Sequence, residues 1–174
     1  MSNYIESITA SLQNMISELS QNPTLFLRNP SADFTRNRKI DFKTLVGITM
    51  NSGGCTMSKE LLDYFDFDVN TPTVSAYTQQ RAKVLPDAFE YLFHSFTKEN
   101  VNLKKTYEGY TLLACDGSNL SIATNPKDAE TAWKNNHFGG ITNHLHLNAL
   151  NDVLNRTFLD VVIQTASEYQ EQRA

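Results

Sequence analysis

Apolar residues recur at helical spacing up to about residue 100 and at strand spacing beyond it. Ile5, Ile8, Leu12, Met15, Ile16 and Leu19 share one stripe of a first helix, which Pro23 ends. Phe42, Leu45, Val46 and Met50 form a second stripe, closed by Ser52-Gly53-Gly54, a glycine stop at a helix C-terminus. A third helix is expected over residues 58–67, burying Leu61, Leu62 and Phe65. Thr71-Pro72-Thr73 opens a fourth, with an oxygen-bearing side chain for the cap and a proline near the first turn. Leu85-Pro86-Asp87 restarts the chain into a fifth, with Phe89, Leu92, Phe93 and Phe96 on one face.

After residue 100 the period falls to that of strands. Residues 110–115 read as a strand, with 120–123 as a short partner. Two more follow at 145–150 and 157–164, separated by a hairpin connection from Asn151-Asp152 to Asn155-Arg156. Residues 124–143 are polar and contain glycine, which reads as a long loop, and residues 166–174 read as the first turns of another helix. The expectation is a mixed α and β chain with a helical region over 1–100 and strands over 101–174. There is no internal repeat and no low-complexity tract.

Composition narrows the class. With 174 residues, 40% of them hydrophobic and 20% charged, the chain can bury a sizeable core. No apolar run approaches the roughly 20 residues that span a bilayer, so no membrane partner is expected. The N-terminus lacks a basic stretch followed by an apolar one, so no secretory signal is expected. Two cysteines, Cys55 and Cys115, sit in unrelated patterns, fitting a reducing cytoplasm better than a disulfide framework. The net charge of -4 argues against a protein that coats nucleic acid generally, while leaving room for a local basic face.

Residues 57–84 have the outline of a helix-turn-helix, in which the second helix offers side chains to the major groove. Val74, Tyr77 and Val84 can pack inward, while Ser75, Thr78, Gln79, Arg81 and Lys83 suit contacts to bases and phosphates. A second basic group, Arg36, Arg38 and Lys39, precedes Lys43 one turn into the next helix. A solvated polar face accounts for the same residues, and Glu60, Asp63, Asp66 and Asp68 nearby count against DNA contact.

The stretch LLACDGS, residues 112–118, ends an apolar run in a carboxylate. Burying a charge there is costly unless it is paired or metal-bound. Asp116 can cap a turn with Gly117, join an ion pair, or hold a hard divalent cation; locally, the turn is the simplest account. His144 and His146 lie on one strand face but lack a third ligand at metal spacing, so hydrogen-bonded histidines are expected. Ser118 has no nucleophile elbow around it and reads as structural. Trp133, Lys134 and His137 either touch nucleic acid or anchor their loop, and Lys104 and Lys105 precede the first strand. Asp152 reads as a turn residue and Asp160 as a strand residue on a polar face, while Glu168 and Glu171 lie in a tail without a motif.

Five stretches lie together in one order: Asp33-Phe34-Thr35-Arg36-Asn37-Arg38-Lys39-Ile40-Asp41-Phe42, Ser75-Ala76-Tyr77-Thr78-Gln79-Gln80-Arg81, Tyr107-Glu108-Gly109-Tyr110, Leu113-Ala114-Cys115-Asp116-Gly117-Ser118, and His146-Leu147-Asn148-Ala149-Leu150-Asn151-Asp152-Val153-Leu154-Asn155. In these the chain resembles the DDE transposases of bacterial insertion sequences, in the group named after insertion sequence four, over most of its length from about Pro30 onward. The resemblance implies helices that bind double-stranded DNA at transposon ends, leading into an RNase H-like catalytic core. It further implies that Asp116 is the first carboxylate of an acidic triad holding two magnesium ions for phosphodiester transfer.

The family's second and third carboxylates have no counterpart in these 174 residues. The expectation is therefore an N-terminal portion with an incomplete RNase H-like core, inactive alone, binding DNA and a candidate for self-association through an exposed strand edge. The alternative is a non-catalytic helix-turn-helix module.

Overall fold

A computed structural model describes residues 2–100, 105–134 and 140–165. Among the described residues, five α-helices are followed by a four-stranded antiparallel sheet, the mixed class that the periodicity predicts. The chain divides into two compact units, Met1–Lys98 and Glu99–Ala174. Lys104, His137, Glu168, Glu171, the side chain of Lys134 and the expected helix at 166–174 lie outside what is described.

The first unit contains α1 (Ser2–Gln21), a short 3-10 helix (Pro23–Phe26), α2 (Phe42–Asn51), α3 (Met57–Tyr64), α4 (Val74–Arg81) and most of α5 (Asp87–Asn100). Its core gathers Met15, Ile16 and Leu19 from α1, Leu45, Val46 and Ile48 from α2, Leu61 from α3, Tyr77 from α4, and Ala88 and Leu92 from α5. Each fully buried leucine contributes roughly 1.5–3 kcal/mol by leaving water. The helix starts follow from capping. Asp41 accepts a hydrogen bond from the Thr44 amide at 2.7 Å, and Thr73 accepts one from Ala76 at 3.2 Å. At Gly47 an added Cβ would stand 2.6 Å from the Tyr64 hydroxyl, so glycine lets the α3 tyrosine lie against α2. Burial, and then the Asp41 carboxylate, push that phenol above its ordinary pKa.

Periodicity overstates burial at several positions. Ile5, Met50, Leu62 and Val74 are exposed, and α3 ends at Tyr64 before the expected 67. Asp66 and Phe67 adopt positive φ directly after it, which breaks the helix where the apolar pattern would carry it on.

The second unit consists of β1 (Leu113–Ile122), β2 (Ala132–Lys134), β3 (Ile141–Asp152) and β4 (Thr157–Gln164). β3 is central: β1 runs antiparallel along one side, and β4 and the short β2 pair with the other. Two expectations need correction. Asp116 and Gly117 do not end a strand, and residues 120–123 are no separate partner; a single strand runs through them, with Asp116 opposite Ala149 and Gly117 opposite Asn148. The expected loop over 124–143 also contains β2 and the start of β3. Asn143, 1% exposed, organises the remainder: its carboxamide oxygen accepts from the Asn125 amide, and its Nδ2 donates to Thr131 Oγ1 and to the carbonyls of Asn125 and Asp128. The hairpin between β3 and β4 lies where the turn residues place it. Asp152, 2% exposed, accepts from the Asn155 amide at 3.0 Å and from Asn155 Nδ2 at 2.8 Å.

Strand alternation sorts the sheet into two chemistries. Leu120, Ile122, Leu145, Leu147, Ala149, Val161 and Ile163 share one face. The other carries Asn119, Ser121, His144, His146, Asn148 and Gln164 in a hydrogen-bonded row: His146 Nδ1 meets Asn119 Oδ1 at 2.8 Å, its Nε2 meets Asn148 Oδ1 at 3.2 Å, and Asn148 donates to Gln164 at 3.0 Å. Gly117 lies beneath this row. A Cβ there would stand 2.8 Å from His146 Nε2 and 3.2 Å from Asn148 Oδ1. The glycine after Asp116 thus serves close packing, not a turn.

Gly117→Ala is expected to destabilise the sheet by about 1–3 kcal/mol, the cost of overpacking against a ring held at both nitrogens. Gly140→Ala, where a Cβ meets nothing within 4 Å, should stay within about 0.5 kcal/mol of the parent. Urea unfolding of the two variants checks this, and equal losses would contradict it.

Candidate nucleic-acid interface

The basic residues expected to touch DNA come from two stretches far apart in sequence, and folding brings part of each together. Arg36, Arg38 and Lys39 lie in the segment before α2. Arg36 and Arg38 line a cavity of about 280 Å³ with Phe34, Gln80 and Lys83. An adjoining cavity of about 120 Å³ is lined by Arg38, Lys39, Ile40, Ala76, Gln79, Gln80 and Lys83. No lining residue of either cavity is acidic.

Backbone pairing causes this meeting. Leu27 and Val84 form an isolated antiparallel bridge, in which Arg28 N donates to Lys83 O at 2.9 Å and Leu85 N to Phe26 O at 2.8 Å. The basic segment therefore departs from beside the end of α4. It turns at Asp33, whose carboxylate accepts from the Asn29 amide at 3.0 Å, and returns to the core at the buried Ile40 and Phe42. Phe34 has φ 56°, a left-handed backbone uncommon for a bulky residue, and its ring packs edge-on against Phe42. Lys83 Nζ stands 5.5 Å above the Phe34 ring and donates to Gln80 Oε1 at 2.8 Å. Lys39 Nζ donates to the Asn70 carbonyl at 2.7 Å, tying the segment to the connection before α4.

The remaining candidates divide by helix face. Tyr77 and Gln80 point inward, the tyrosine hydroxyl meeting Thr49 Oγ1 at 3.0 Å. Ser75, Thr78 and Gln79 are exposed; Gln79 Nε2 donates to Ser75 Oγ at 3.3 Å, and the Thr78 hydroxyl donates to the Val74 carbonyl at 2.9 Å. Arg81 and Lys43 are exposed and line neither cavity. The connection from α3 to α4 is longer than the roughly 3–4-residue turn of a helix-turn-helix, since α3 ends at Tyr64 and α4 begins at Val74. The acids that weigh against DNA contact are partly engaged locally. Glu60 accepts from the Gly53 and Cys55 amides, Asp63 pairs with Lys59 at 2.6 Å, and Asp68 accepts from the Asn70 amide.

Sequence reasoning missed Gln80, whose side chain joins both cavities. Its inward spacing with Tyr77 and Val84 was the available signal, because a polar residue on a packing face needs a reason to be there.

In the second unit Asp116 is exposed on β1, and its Oδ1 accepts from the following Gly117 amide at 2.9 Å. Among the described residues no group of three or more His, Cys, Asp or Glu side chains converges as a metal site needs. His144 and His146 bond to neighbouring polar side chains, as expected. Asp160 accepts from the Val161 amide at 2.9 Å, Trp133 is half exposed on β2, and Cys55 and Cys115 are free thiols. Among the described residues no helix is long and apolar enough to cross a membrane. The chain matches no family model, no curated protein and no solved structure.

Asp116→Ala should leave unfolding stability within about 0.5 kcal/mol, because an exposed carboxylate bonded, among the described residues, to the next amide alone contributes little to folding. Thermal and urea unfolding check this; a loss above about 2 kcal/mol would make Asp116 a structural residue.

Proposed function

We propose that the chain is the N-terminal portion of a DDE-type transposase of insertion sequences, whose helical unit binds double-stranded DNA at transposon ends. In this reading the sheet is the opening part of an RNase H-like core, and Asp116 is one acidic ligand of its catalytic centre. The observation that carries the proposal is the meeting of Arg36, Arg38 and Lys39 with Gln79 and Lys83 across adjoining cavities free of acidic lining. Cations displace condensed counterions from a phosphate backbone, and such contacts set register while side chains on a neighbouring helix face reach the bases. Ser75, Thr78 and Gln79 supply that exposed face, with Arg81 and Lys43 as additional cations at its margins.

Asp116 has the right chemistry for magnesium: a hard oxygen donor, exposed, on a strand paired along its whole length. A two-metal centre needs several such oxygens, and the described residues bring no second carboxylate to it. They do not make a magnesium site by themselves, and no catalytic step is derived from them.

A second reading, a DNA-binding module without chemistry, draws on the compactness of unit Met1–Lys98. Both readings place binding in the helices.

Fluorescence anisotropy of labelled duplexes over a salt series tests the shared claim. The logarithm of the affinity should fall linearly with the logarithm of salt, by about 0.9 per phosphate neutralised. Arg38→Ala should weaken binding to all sequences alike and reduce the slope by about one. No binding at low salt, or affinity indifferent to Arg38→Ala, would overturn the proposal. Coding sequence downstream of residue 174 that supplies a further aspartate and a glutamate in strand and helix settings would favour the transposase over the module.

A further inference from the structure

Gln80 is 5% exposed yet lines both basic cavities. Lys83 Nζ donates to its Oε1, which fixes the orientation of the carboxamide and leaves Nε2 as the free end. That nitrogen has no hydrogen-bond partner among the described residues. No buried side-chain nitrogen or oxygen in them is unsatisfied, so Nε2 must open into a cavity rather than lie sealed in the core. The amide therefore reaches solvent through the cavity and can donate to any acceptor that enters the space lined by Arg36, Arg38 and Lys83. Neither arginine has a carboxylate partner among the described residues. Donors and positive charge converge on a cavity with no acidic lining.

We infer that this cavity is an oxyanion site that seats one phosphate, with Gln80 Nε2 as the amide donor and Arg36, Arg38 and Lys83 as the surrounding cations. The inference rests on the DNA-binding reading and deepens it: the phosphate belongs to a nucleic-acid backbone, held independently of base sequence. Three features preset the site. Phe34 is fixed in a left-handed backbone against Phe42, Lys83 is held between the Phe34 ring and Gln80, and the Leu27–Val84 bridge joins the two walls. A preset donor array loses little freedom on binding, which favours a defined phosphate position over diffuse attraction. Arginine suits this role because its planar fork pairs with two phosphate oxygens at once.

The test is a titration of the full chain with inorganic phosphate, following the Gln80 side-chain amide by NMR at constant ionic strength. The amide resonance should move saturably. Gln80→Met, which keeps volume and removes the donor, should weaken phosphate binding about 3- to 10-fold, and Arg38→Ala about tenfold or more. Arg38 is exposed, so its variant keeps the test decisive if Gln80→Met does not fold. No saturable shift, or an affinity unchanged in Arg38→Ala, would overturn the site. Adding duplex DNA then separates the sources. Displacement of phosphate by duplex supports a backbone phosphate as the occupant. Duplex that binds without displacing phosphate overturns that assignment while leaving DNA binding intact. Phosphate that binds where duplex does not would uphold the oxyanion site and overturn the DNA-binding reading.

Discussion

The pairing of Leu27 with Val84 sets the geometry on which the basic surface depends. It consists of two backbone hydrogen bonds between stretches far apart in the chain, with both side chains buried. Each bond is worth only about 0.5–1.5 kcal/mol net. Its importance lies in position: it anchors one end of the basic segment beside the end of α4, while Ile40 and Phe42 anchor the other in the core. Held at both ends, the segment runs with Arg36 and Arg38 alongside Gln80 and Lys83. Lys39, bonded to the Asn70 carbonyl, ties the same segment to the connection before α4.

The sheet rests on a different constraint, the central position of β3. Paired on both sides, β3 places a polar row of histidines and asparagines on one face and an apolar set on the other. The row is satisfied side chain to side chain, so burial of His146 and Asn148 carries little penalty. Gly117 is the point where this row presses on β1. Asp116, one residue earlier, turns to the opposite face and remains accessible. The sequence pair Asp-Gly thus encodes two separate requirements, a close contact and an exposed acid, within one strand.

Much of this architecture was legible in the chain. The stripes of α1, α2 and α5, the threonine cap of α4 and the turn between β3 and β4 all follow from local rules that the structure obeys. Asp116-Gly117 misled because a turn pair reads the same whether glycine supplies a bend or merely room for a neighbour, and His146 lies far along the chain. Leu62 and Val74 misled because a periodic stripe on a short helix says which side is apolar, not whether anything covers it. The long connection between α3 and α4 was hidden for a related reason: positive φ at Asp66 and Phe67 breaks a helix whose composition would continue it. The types of the basic residues were readable, but not their meeting, which the Leu27–Val84 bridge creates. Gln80 stayed unseen because its role appears only when both cavities exist.

The measurement that bears most directly on this account is native-state amide hydrogen exchange at Arg28 and Leu85. If the bridge is an integral part of the helical unit, both amides should exchange as slowly as those in the middle of α2, through the same cooperative opening. If they exchange at the rate of exposed loop amides while α2 stays protected, the basic segment is not fixed to α4, and the surface built from the two does not exist as a unit.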